Sequence, residues 1–221
     1  MEKLKLCHLA IGTYPDTKDG ASKFARRIFD ELKQRGHDIT LLTAQWNTPF
    51  DDPNIHSIPV PGMRFLWAPQ YALSYRSFLK KHEFDIIHSN GSRASLPAIL
   101  ASKPFLSHIH DVGPFQADFS KLPFIKWLEK WNAKKARHIL TCAESNRQEI
   151  AHFMGADIDK IHTVLDAIDP MFKPCPQEAK ALKEELGIKG PVLYYVGRIA
   201  FYKGVDDIIA AYKLAKKQSL S

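Results

Sequence analysis

The chain has 221 residues, 45% hydrophobic and 25% charged, enough to bury the core of one large α/β domain or of one domain and part of a second. No apolar run approaches the roughly 20 residues that span a bilayer, and Met1-Glu2-Lys3-Leu4-Lys5 leads into a strand-like run without the features of a secretory signal, so a cytoplasmic location is expected. The net charge of +7 favours an anionic partner, but the basic residues are spread along the chain without zinc-finger spacing or an RNP-type aromatic signature, which argues against nucleic acid.

Residues 4–12 read as the first strand. A helix follows with Ala21, Phe24, Ala25, Ile28, Phe29 and Leu32 on one face, stopped by the glycine of Arg35-Gly36-His37. Further strand-like runs cover residues 38–44, 55–60, 84–89, 104–110, 138–143 and 160–165, with helical patterns between most of them. Ser145 with Gln148 three residues later has the form of a capping box. This alternation predicts an α/β fold, a Rossmann-like open parallel sheet with helices on both faces. Cys7, Cys142 and Cys175 have unrelated spacings and read as reduced thiols rather than disulfide partners or metal ligands.

Two stretches interleave aromatic and basic residues. In residues 119–137, Phe124, Trp127, Leu128 and Trp131 form one helical stripe and Lys126, Lys130 and Lys134 another. The pattern fits a helix packed on the sheet with its lysines in water; it also fits an interfacial helix lying on anionic lipid. Residues 63–81 carry the same two readings.

Pro170, Pro174 and Pro176 mark a break in composition. We therefore expect a first domain over residues 1–170, a linker over 171–190 with a short helix at 178–186, and a strand-turn-helix unit over 191–221 that opens a second domain. In that unit "VLYYVGR" reads as a buried strand, and Val205, Ile208, Ile209 and Tyr212 line one side of a helix. A lone unit of this kind leaves its strand side chains in water, at roughly 25 cal/mol per Å² of apolar surface.

Arg198 and Lys203 flank the turn, where unpaired amides and the positive end of a helix dipole suit a phosphate; the plainer reading is two solvated cations. His110 ends a strand at the carboxyl edge of the sheet, where open α/β folds bind ligands, and Asp111 beside it is placed to orient a ring nitrogen or the next turn. His108 and His110 share a strand face, but no third ligand has suitable spacing for a metal. His88 ends another such strand and reads as packing or as a support behind the site. Gly20, in Lys18-Asp19-Gly20-Ala21, reads as an ordinary turn and helix start.

"VLYYVGRIAFYKGVDDIIAAY" resembles the VGR…KG segment of retaining glycosyltransferases of family 4, and the resemblance continues upstream in order. "GTYPDTKDGASKFARRIFDELKQRGHDITLLTA" resembles the family's glycine loop, first helix and second strand; "FDIIHSNG", "LSHIHDV", "KKARHILTCAESNRQEI" and "DKIHTVLDAIDPMFKP" resemble its later segments. The resemblance implies the N-terminal acceptor half of a two-domain GT-B fold plus the start of the nucleotide-sugar domain. It implies that Arg198 and Lys203 hold the leaving diphosphate in place of a metal, so that no metal or cofactor beyond the nucleotide-sugar donor is expected. It makes Gly20 the second glycine of the loop, with Asp19 replacing the first, and His110, followed by Asp111, the histidine that contacts the donor sugar. The acceptor would be a glycan, a lipid-linked molecule or a small molecule.

The family's Glu-x7-Glu donor segment does not occur in these residues, so little or no transfer is expected of this chain alone. Ala167 stands where the family has a turn glycine, and a positive φ there would cost roughly 1 kcal/mol or more. The rival reading is a non-catalytic acceptor-binding or regulatory protein. A dinucleotide enzyme is disfavoured, because "IGTYPDTKDG" has no G-x-G-x-x-G.

Overall fold

The computed structural model describes residues 2–61, 67–116, 123–168, 171–197, 199 and 201–218. The chain divides into two compact units, Met1–Asp166 and Ala167–Ser221. In the first, the order is β1 (Lys5–Leu9), α1 (Gly20–Gln34), β2 (Asp38–Gln45), β3 (Ile55–Pro59), α2 (Trp67–Lys81), β4 (Ile86–Asn90), α3 (Leu96–Ala101), β5 (Leu106–His108), α4 (Gly113–Gln116), α5 (Pro123–Lys135), β6 (His138–Thr141), α6 (Glu144–Met154) and β7 (Ile161–Thr163). All seven expected strands form. They pair in parallel in the order β3-β2-β1-β4-β5-β6-β7, the doubly wound arrangement whose switch point lies between β1 and β4.

The winding reverses at that point, and the two faces are covered unequally. On one face Leu9, Leu42, Tyr71, Tyr75, Ile139 and Ile150 belong to a core built with α2, α3, α5 and α6. On the other, Leu6, Ile39, Leu41 and Ile55 pack against Ala25 and Phe29 of α1. Beside α1 an open apolar cavity of about 250 Å³ runs over Leu6, His8, Ile86, Leu106 and Leu140. Helices do lie on both faces, as expected, but among the described residues of this unit α1 alone serves the second.

Local chemistry explains the element ends. Asp19 caps α1 through the Ser22 amide at 3.1 Å, and α1 stops where Gly36 takes φ +89°, a conformation that favours glycine. Asp16, buried in the loop after β1, accepts the amides of Trp46, Asn47 and Thr48 at 2.7, 2.5 and 2.7 Å. One carboxylate thus ties the loops after β1 and β2 together. The capping box at Ser145 does not form: α6 begins at Glu144 behind Ala143, with no side-chain cap. Glu144 instead accepts from Thr163 Oγ1 at 2.7 Å and Arg147 at 3.1 Å.

The inner face of α5 also departs from the expected apolar stripe. Leu128, Asn132 and Ala133 are buried, whereas Phe124 and Trp127 are 68% and 52% exposed. The reason is polar: α5 closes over the ends of β4 and β5, where Asn132 donates to Ser92 Oγ (3.2 Å) and Ser107 Oγ (2.8 Å) and Glu129 accepts from Ser92. In the other aromatic stretch, Tyr71, Ala72, Tyr75 and Leu79 of α2 are buried, the packed reading; residues 62–66 lie outside those described.

In the second unit α7 (Pro176–Glu185) starts with proline in its first turn, and α8 (Val205–Gln218) follows a 3-10 turn at Phe201–Lys203. The strand expected at 192–198 does not form a ladder among the described residues, and Tyr194 and Val196 are 81% and 80% exposed. A strand needs a hydrogen-bonded neighbour, and this unit supplies none among them.

Since α1 alone covers its face, replacing Phe29, which is fully buried there, with alanine should destabilise the first unit by about 3–5 kcal/mol. A loss below 1 kcal/mol in urea unfolding would contradict this anchoring role.

Candidate active site at the switch point

Four imidazoles form a column on the α1 side of the sheet. His8 of β1 pairs in register with His88 of β4, and their rings stack at 4.8 Å. His88 lies 5.8 Å from His108 of β5. His108 in turn stacks on His110 at 4.4 Å and 17°. Phe24 of α1 sets its ring edge-on to both, at 4.7 and 4.8 Å. The column runs from the core to the carboxyl edge.

Burial sets the protonation of these rings. It lowers His8 to about 4 and His108 to about 3, the latter helped by the neighbouring His110 and His8 imidazoles. His88 is held well below its usual value by burial and by the three rings around it. His110 is also lowered by burial, against the opposing pull of the Asp166 and Asp111 carboxylates.

Asn90, at the end of β4, orients His110. Its Nδ2 donates to the Ala21 carbonyl of α1 at 2.9 Å, so its Oδ1 faces His110 Nε2 at 2.7 Å. That Nε2 is therefore the protonated nitrogen, and Nδ1 keeps a lone pair. Nδ1 lies 3.9 Å from Asp166 Oδ2, while His108 Nε2 lies 3.9 Å from Asp166 Oδ1. The His110 carbonyl accepts from Asn146 Nδ2 at 2.7 Å and Cys142 Sγ at 3.3 Å. The ring is thus held from the end of β4, and the backbone from α6 and the residue after β6.

The expected site residues fall differently. His110 lies two residues past β5 rather than at its end, because the ladder to β6 closes at Ile109. Asp111 orients the next turn and not the ring: its Oδ1 accepts the Gly113 amide at 2.8 Å. Gly20 opens α1, and a side chain there meets nothing within 4 Å, so the fold itself does not demand glycine. Asp19 is turned onto Ser22; burial opposes its ionisation, but the Ser22 hydroxyl and amide outweigh burial and hold the carboxyl low. Lys203 belongs to the second unit, at the turn before α8, and Arg198 lies outside the described residues.

Ala167 does not take a positive φ, since Ser102 is the one non-glycine residue among those described that does; the expected strain is absent. Sequence reasoning missed Asp166, Asn90 and Phe24. Asp166 reaches the histidines from beyond β7, across the end of β6, which no spacing along the chain signals. Gly12 was also missed: a side chain there would meet Thr17 Oγ1 at 2.5 Å.

The family model described as Glycosyltransferase Family 4 matches residues 18–172. A UDP-Gal:alpha-D-GlcNAc-diphosphoundecaprenol alpha-1,3-galactosyltransferase of Escherichia coli is 24% identical over 214 residues, covering 89% of this chain and 54% of that protein. A 2-deoxystreptamine glucosyltransferase of Streptomyces kanamyceticus is 36% identical over 93 residues, 40% of this chain and 24% of its own length. Among solved structures, Anabaena HepE in complex with UDP superposes with a TM-score of 0.66 at 15% identity, over 95% of this chain and 57% of that one. That likeness shows a shared fold, of the GT-B type expected from the sequence. These alignments span between about a quarter and just over half of each curated relative.

The buried histidines make stability depend on pH. His8, His88 and His108 titrate below their unfolded value near 6.5, so the unfolded chain takes up protons first as pH falls. Their contribution is complete above pH 6.5 and is lost as pH drops toward their folded values, by up to about 1.4 kcal/mol per pH unit for each ring. Unfolding midpoints in urea should therefore fall steeply between pH 6.5 and 4. A flat profile there would show that the column is hydrated or charged in the folded protein.

Proposed function

From the premise that this chain belongs to glycosyltransferase family 4, we propose that it acts in transfer of a sugar from a nucleoside diphosphate sugar to an acceptor hydroxyl, with retention at the reacting carbon. The observation that carries the reading is His110. It stands at the carboxyl edge of the switch point with Nε2 committed to Asn90 and the Nδ1 lone pair facing Asp166. A neutral imidazole and a carboxylate side by side are two hydrogen-bond acceptors, the complement of neighbouring hydroxyls on a sugar ring. Because burial lowers His110, it keeps this role at neutral pH.

Departure of the diphosphate builds negative charge on its oxygens, which Arg198 and Lys203 of the second unit neutralise. Cations placed there favour the transition state over the bound donor, and this raises turnover rather than affinity alone. No metal is invoked for the step. A uridine diphosphate sugar is the first donor to test, since HepE was solved with UDP and with UDP-glucose. Multiple turnover requires a complete donor domain beyond the strand-turn-helix unit of residues 191–221, with residues 1–170 serving the acceptor and 171–190 the link.

The exposed outer face of α5 favours a membrane-held acceptor. The exposed Phe124 and Trp127 and the half-buried Trp131 stack in a row at 5.7 and 5.1 Å, with Lys126, Lys130 and Lys134 on the same helix. Aromatic rings beside lysines suit the headgroup boundary of an anionic membrane, and a lipid-linked acceptor, as named for the Escherichia coli relative, would be met there. No helix among the described residues is long and apolar enough to cross a membrane, so the association proposed is peripheral, on the cytoplasmic side.

In a preparation that turns over, His110→Ala should lower kcat at least about tenfold, roughly 1.4 kcal/mol of barrier, with less effect on nucleotide binding. Arg198→Ala or Lys203→Ala should depress kcat by about 10²-fold. Unchanged kinetics in all three would favour a non-catalytic binding protein, and a loss confined to KM would make the cations nucleotide ligands only. The chain should co-sediment with anionic vesicles and be released by salt, and Trp127→Ser should weaken this. Equal binding to neutral vesicles would remove the membrane reading.

A further inference from the structure

His108 and His110 present their ring edges to one carboxylate. Their ligand atoms and that of Asp166 all lie within 4.8 Å of one another, the only such group of three among the described residues. The His108 side chain is 3% exposed, and its Nε2, like ring nitrogens of His8 and His88, has no hydrogen-bond partner; of these it is His108 Nε2 that faces a carboxylate, Asp166 at 3.9 Å. A buried ring nitrogen left in this state costs free energy unless something fills the gap. The Asn90 bond to Nε2 leaves His110 Nδ1 as the nitrogen with a free lone pair, on the side where Asp166 stands. An outer partner that selects the ligating nitrogen is what metal-binding histidines have.

We infer that His108, His110 and Asp166 form a binding site for a divalent transition-metal ion of the zinc, cobalt or nickel type. Two imidazoles and one carboxylate suit such ions, whereas magnesium and calcium prefer oxygen ligands alone. A tetrahedral ion with ligands at 2.0–2.2 Å wants them about 3.3 Å apart, so the triad must contract on binding. The movement falls on Asp166, past the end of β7, and on the His110 ring, which must turn about its Asn90 bond so that its stack on His108 opens and both lone pairs meet one ion, while His108 stays fixed in its strand.

The inference stands on the geometry of the triad and not on the transferase reading. Within that reading the ion has a consequence, since it occupies the His110 edge assigned to the donor sugar and so inhibits.

The test is titration of the 221-residue protein with cobalt(II) and with zinc(II), followed by visible absorption and by calorimetry. One ion per chain is expected, with the cobalt spectrum of a nitrogen-ligated ion, undiminished by excess magnesium. Asp166→Asn, at a partly exposed loop position, and His110→Ala should each weaken binding by about tenfold or more. His138→Ala removes the separate exposed pair His138–His162, 3.0 Å apart, and should leave binding unchanged.

The inference is overturned by no saturable binding, by displacement with magnesium, or by binding that is lost in His138→Ala but retained in Asp166→Asn. Circular dichroism of each variant separates lost ligands from lost fold. Binding is read without turnover, so its failure leaves the transferase reading standing; unchanged kcat in His110→Ala would in turn leave the metal result standing.

Discussion

The site depends on the way Asn90 uses both ends of one amide. At the switch point, the chain leaving β1 turns to one face of the sheet and the chain leaving β4 to the other, so no backbone ladder spans the gap between the loops. Asn90 spans it by donating to Ala21 at the start of α1 and accepting from His110 beyond β5. The first bond fixes which end of the amide faces the imidazole, and the second then fixes the tautomer. Three elements and one proton position are settled by a side chain that carries no charge.

Around this amide the unit is covered unevenly. Among the described residues, α2 to α6 pack on one face of the sheet and α1 alone on the other, and the histidine column occupies the thinly covered side. Parallel strands ordinarily carry aliphatic side chains on both faces. Imidazoles are tolerated here because they stack on one another and stay neutral, and the rings nearest the edge gain polar neighbours in Asn90 and Asp166. His110, the ring proposed to meet a ligand, stacks on the buried rings expected to make stability depend on pH.

Much of the fold was legible in the chain. Seven apolar runs, most of them separated by helical patterns, became seven strands, and the glycine in Arg35-Gly36-His37 stopped α1. The misreadings share a cause. In the stripe of Phe124, Trp127, Leu128 and Trp131 apolar periodicity marks a packing face, but of these only Leu128 is buried, because α5 meets Ser92 and Ser107 and so turns Asn132 inward. Ser145 has the spacing of a cap, yet α6 begins one residue earlier at Glu144, whose carboxylate accepts from Thr163 on β7. The buried look of "VLYYV" required neighbouring strands that the described residues of the second unit do not contain.

The sequence by itself determined the alternation of strands and helices, the parallel class and the position of His110 near a carboxyl edge, because periodicity and turn chemistry act over a few residues. Only the tertiary structure decided that Asp111 serves a turn while Asp166 serves the histidines, and that Asn90 selects the ring nitrogen left free. Such choices rest on groups brought within hydrogen-bonding distance by sheet order, and sheet order places side by side residues whose separation along the chain carries no local signal.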